Sequence, residues 1–71
     1  MTADEIFEKL GYVKHASKFR ERFDLCSVDD ESLIIIVFNS KTRRISIHCD
    51  GEALDLDELR AINKKVEELG W

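Results

Sequence analysis

The chain has 71 residues, 44% apolar and 37% charged, with three Gly, no Pro and two Cys. That composition suits one compact domain and excludes a second core, a fibrous repeat or a disordered chain. Eleven basic against fifteen acidic residues leave a net charge of −4, which argues against a general phosphate-backbone binder.

No apolar run approaches the roughly 18–20 residues of a membrane span, so no membrane partner is expected. Asp4, Glu5 and Glu8 stand where a secretory signal needs basic and apolar residues, and the expected location is the cytoplasm. Cys26 and Cys49 are then expected as reduced thiols.

The first element is a short helix. Thr2 at its N-cap and Glu5 three residues later form a capping box, with Met1 and Ile6 placed as a hydrophobic staple. Ile6, Phe7 and Leu10 recur at helical spacing. Gly11 supplies the left-handed residue after the last turn, which lets Tyr12 fold back onto Phe7.

The segment 14–27 fits two patterns. Phe19, Phe23 and Leu25 alternate with charged residues as in a strand, while Phe19 and Phe23 also share a helical face. A strand is favoured, turning through Asp29-Asp30-Glu31-Ser32 into Leu33–Phe38, which is too short and too β-branched for a buried helix. Asn39-Ser-Lys-Thr42 reads as a turn, and Arg44–Cys49 alternates, with Ile45, Ile47 and Cys49 inward.

The last helix repeats the grammar of the first. Asp55 and Glu58 cap it, Leu54 and Leu59 staple it, and Leu59, Ile62, Val66 and Leu69 share one face. Gly70 stops the helix and sets Trp71 to pack on Val66. The predicted fold is therefore α+β in one domain over 1–71: a helix, a three-stranded antiparallel β-meander and a helix, with both helices packed on one sheet face.

A central strand that is apolar on both faces needs cover on both, and two short helices cover only one. A contact face for protein partners, including a second copy of the chain, is therefore expected from Ile34, Ile36 and Phe38, or from the alternates Leu33, Ile35 and Val37.

Chemistry is harder to find. His48-Cys49-Asp50 suggests a thiolate paired with an imidazole, but adjacent strand residues point to opposite faces. His15, Cys26, His48 and Cys49 match zinc in number and not in spacing. Asp50, Glu52, Asp55, Asp57 and Glu58 lack the ligand pattern of a calcium loop. Phosphate loops, dinucleotide fingerprints and serine-nucleophile motifs are absent from the sequence. No catalytic residue, metal ligand or cofactor is assigned.

A second class of partner is nucleic acid. The basic segment 14–22 carries Lys14, Lys18, Arg20 and Arg22 with Phe19 interleaved, and the hairpin tip 41–44 carries Lys41, Arg43 and Arg44. A basic β-hairpin enters a major groove and a sheet aromatic stacks a base, although no motif of a known reader is present.

The two ends, Thr2-Ala-Asp-Glu-Ile-Phe-Glu-Lys-Leu-Gly-Tyr12 and Leu59-Arg-Ala-Ile-Asn-Lys-Lys-Val-Glu-Glu-Leu-Gly-Trp71, and the hairpin Phe38–Ile47 resemble a family of small proteins. Its members are encoded in phages and prophages of low-GC Gram-positive bacteria. The resemblance implies a prophage origin, an unassigned role and a strand at 19–26, and it brings no catalytic residues. The expected function is that of a non-enzymatic accessory module working through protein–protein contacts.

Overall fold

A computed structural model describes residues 1–27, 32–51 and 53–71. The elements run α1 (Ala3–Lys9), β1 (Val13–Ala16), β2 (Arg20–Ser27), β3 (Ser32–Asn39), β4 (Arg44–Asp50) and α2 (Leu56–Leu69). The four strands form one antiparallel sheet in the order β1-β2-β3-β4. The class is α+β, as the sequence predicts.

The meander has four strands where three are expected, because segment 14–27 folds into a hairpin of its own. The Ser17 amide donates to the Arg20 carbonyl across its turn at 2.8 Å. Ser17 is the one turn-forming residue in Ser17-Lys18-Phe19, and a weak one; the segment has none of the stronger Gly, Pro, Asn or Asp signals. The acidic turn Asp29–Glu31 lies outside the described residues.

Both helix ends follow local rules. Thr2 and Glu5 cap α1, and Asp55 and Glu58 cap α2, each pair in a reciprocal box. Gly11 and Gly70 take left-handed φ of 95° and 75°, where a side chain would be strained. Tyr12 and Trp71 then donate their amides to the carbonyls of Phe7 and Val66, at 3.0 and 3.1 Å. The Tyr12 ring meets Phe7 edge-on, whereas the Trp71 ring approaches Phe38. Met1 is exposed and contributes little as a staple.

Strand register decides what each face carries. Phe23 stands opposite Ile36, which stands opposite Ile47, so these three share a face. On that face Phe23, Ile34, Ile36 and Phe38 form one core with Phe7 of α1 and Ala61 and Ile62 of α2. Phe7 stacks on Phe23 with ring centroids 4.3 Å apart, and Phe38 meets both edge-on. Both helices therefore cover one side of the sheet.

α2 keeps part of its expected face inward, with Ile62 in the core and Leu69 packed against it, but is turned away from Leu59. Its buried stripe is Glu58, Ala61, Ile62 and Lys65, while Leu59 is 47% exposed. Two distant contacts account for the turn. The Tyr12 hydroxyl donates to the Glu58 carboxylate, and the Lys65 ammonium donates to Asp4 at 2.9 Å and Glu21 at 2.7 Å. Charged groups are buried at tolerable cost when they are paired in this way.

Lys14 closes the second contact into a ring, 2.6 Å from Asp4 and 3.0 Å from Glu21. Both lysines also lie over the Phe23 ring. Burial pushes the carboxyls of Asp4 and Glu21 up, but hydrogen bonds from the two lysines outweigh it and hold both below their usual values. The Lys14 ammonium is raised by its bonds to the same carboxylates. Among the described residues no helix is long and apolar enough to cross a membrane.

Candidate functional site

The alternation that buries Ile34, Ile36 and Phe38 sends Leu33, Ile35 and Val37 to the opposite face, where no described element lies. The first trio therefore cannot serve as a contact face: the helices sit on it. The alternates are half-buried, and their neighbours are polar. Arg22 stands opposite Val37, and Ser46 opposite Val37 on the other side; Asp24 and His48 flank Ile35 in the same way. Arg20 and Arg44 flank Asn39 at the end of the strand.

This open face has an apolar centre and a mainly basic rim. Asp24 draws two rim groups together, with Arg22 Nε at 2.7 Å and His15 Nε2 at 3.4 Å from its two oxygens. Bonding to Asp24 raises the Arg22 guanidinium further above its already high value. Two shallow depressions mark the surface. One of about 330 Å³ is lined by His15, Arg20, Arg22, Ile35 and Val37, and one of about 450 Å³ by Arg20, Val37, Thr42, Arg44 and Ser46.

The two basic stretches meet at one end of this sheet. The turn after β1 and the turn after β3 lie side by side, and the Ser40 amide and hydroxyl both donate to the Phe19 carbonyl, at 2.8 and 3.1 Å. The Asn39 side chain shapes its own turn by accepting from the amides of Lys41 and Thr42. Arg43 takes a left-handed φ of 55° there. Phe19 is 45% exposed, and Lys18 and Lys41 approach its ring at 5.3 and 5.6 Å.

Of the basic residues singled out in the sequence, Lys18, Arg20, Lys41, Arg43 and Arg44 gather at this end. Arg22 lies further along the face, bound to Asp24, and Lys14 leaves the group for the ion ring on the helix side. The convergence was invisible in a linear reading, because Phe19 and Ser40 are far apart in the chain. His15, which composition suggested only as a zinc ligand, belongs to the rim.

The candidates for chemistry separate in space. His48 stands opposite Ile35 and Cys49 opposite Ile34, so their side chains leave opposite faces of β4. Cys26 and Cys49 are both free thiols and exposed; the inward place expected for Cys49 stays open because β4 is an edge strand. Among the described residues no three His, Cys, Asp or Glu side chains gather to hold a metal ion, and Glu52 lies outside them. A third depression, of about 320 Å³, lies between α1 and β1 beside the ion ring. The chain matches no family model, no curated protein and no solved structure.

Proposed function

We propose that the protein is a non-enzymatic accessory module of phage or prophage origin that acts in the host cytoplasm through protein–protein contact on the open face of its sheet. The observation that carries this reading is the placement of Leu33, Ile35 and Val37 on a face with no described cover, inside a rim of Arg20, Arg22 and Arg44. An apolar centre with a polar rim is the anatomy of a protein interface. The matching surface is a polypeptide with an apolar stripe flanked by acids. The origin rests on the resemblance of the two helical ends.

The test uses the tagged chain as bait in extracts of a Gram-positive host. A specific protein should be retained by the wild type and by Arg43→Ala, and lost with Ile35→Glu, whose circular dichroism should be unchanged. Equal retention by Ile35→Glu would remove the open face as the contact.

A second reading, nucleic-acid binding, is favoured by one observation: Ser40 fastens the two basic stretches around exposed Phe19. Binding there should fall steeply with salt, because released counterions drive it. A mobility shift that survives neutralising Arg43 and Arg44 together would exclude this reading.

A further inference from the structure

The two edges of the sheet are not alike. β1 has four residues, and Lys14 points from it to the helix side, locked in the ion ring. Short length and an inward charge are devices that keep an edge from pairing. β4 has seven residues, Arg-Ile-Ser-Ile-His-Cys-Asp, with no Pro, no Lys and an unbroken register against β3. Its outer edge is open for nearly its whole length, and Ile47, on the helix side, is 46% exposed.

A neighbouring strip of α2 is exposed on the same side. Glu68 accepts a hydrogen bond from the Ala3 amide and so faces α1. Leu59 lies about two and a half turns earlier and therefore on the opposite flank. α1 sits beside β1, so that flank of α2 looks toward β4.

We propose that β4 pairs antiparallel with β4 of a second copy of this chain, about a two-fold axis at Ile47, to make one continuous eight-stranded sheet. The sequence of β4 is self-complementary in that register. Ile47 meets its own copy, and Ile45 meets Cys49 of the other chain, all on the helix side. On the open face Ser46 meets His48, and at each end Arg44 meets Asp50 with opposite charge. Among the described residues neither Arg44 nor Asp50 has an ion-pair partner within the monomer.

The arrangement also sets the two α2 helices on either side of the paired strands, so the Leu59 flanks cover the joined apolar strip of Ile45 and Ile47. A contact one strand long is at the small end of specific interfaces, so the dimer is reversible. It shares Arg44 with the rim of the open face, while Ile45, Ile47 and Cys49 lie on the other side of the sheet.

Sedimentation velocity of the nuclease-treated full chain over a concentration series reads this directly. The wild type should shift from monomer to dimer as concentration rises. Arg44→Asp and Asp50→Arg each place like charges opposite one another at both ends of the contact and should weaken the dimer by about tenfold. Combining the two should restore it. Within one chain these residues lie about 20 Å apart at opposite ends of a strand, too far for rescue inside a monomer.

Ile47→Lys should leave only monomer, while Val13→Lys on the other edge should leave the dimer intact. A wild type that stays monomeric throughout, or a charge-swapped double variant no tighter than either single one, would overturn the proposal. Unchanged urea midpoints for the two single variants in dilute solution confirm that the monomer fold is retained.

Discussion

β3 presents three large aliphatic or aromatic side chains to one side of the sheet and three aliphatic ones to the other, and the molecule treats them differently. Ile34, Ile36 and Phe38 are sealed under two helices and an aromatic stack; Leu33, Ile35 and Val37 lie half-buried among the polar residues that flank them on β2 and β4. The difference separates two roles within one strand. The covered side holds the fold together, and the open side is left for contact.

The largest test of that division lies in the stack. Phe23→Ala removes the ring that touches Phe7, Phe38 and two lysines and should cost about 3–5 kcal/mol, most of what so small a domain has. A urea melt should show the variant largely unfolded near room temperature. If Phe23→Ala cost no more than an open-face truncation, the division would collapse.

Next is Lys65, which is 6% exposed. Lys65→Met leaves Asp4 and Glu21 sharing only Lys14, and should cost about 2 kcal/mol, because both carboxylates retain some access to water. The same ring sets the acid response. Both carboxyls are held below their ordinary values of 3.8 and 4.5 in the folded chain. Their contribution is therefore complete above about pH 5, begins to fade near those ordinary values and is lost as the pH falls through the lower values of the folded chain. Melts from pH 6 to pH 3 should decline less in Lys65→Met than in the wild type.

Tyr12→Phe should cost about 1–2 kcal/mol, since the Glu58 carboxylate loses its buried donor. Burial, and then the bond to Glu58, raise the Tyr12 hydroxyl far above its ordinary value of 10.0. The stability it confers is present below pH 10 and is lost as the pH rises beyond that, so alkaline melts of the wild type should fall more than those of Tyr12→Phe. The smallest effect belongs to the open face. Val37→Ala should shift the urea midpoint by the equivalent of about 1 kcal/mol or less. A larger loss would mean that the open side also supports the fold.

Much of this architecture was legible before the structure. The two capping boxes, the left-handed glycines and the Asn39 turn are interactions among residues within five positions of one another, so local sequence carries them. The strand alternation likewise gave the correct pairs of trios on β3. The β1–β2 reversal is hard to read because Ser17-Lys18-Phe19 carries only serine, a weak turn former, and no Gly, Pro, Asn or Asp. The orientation of α2 is legible only in part: Ile62 and Leu69 face the core as their spacing predicts, but apolar spacing also ranks Leu59 above Glu58 and Lys65. What turned the helix are partners supplied by Tyr12, Asp4 and Glu21 from far along the chain.

The candidate site divides in the same way. Each basic stretch is plain in the sequence, but their meeting around Phe19 depends on a hydrogen bond between turns from different hairpins. By itself the sequence determined where helices start and stop, which segments are extended, and that one strand is apolar on both sides, because each of these follows from contacts between near neighbours. Only tertiary structure decided which side of that strand is covered, which way α2 turns, and which strands form the edges of the sheet. Alternation offers two equivalent faces, and the choice between them is made by buried pairs and aromatic packing that exist only once distant residues meet.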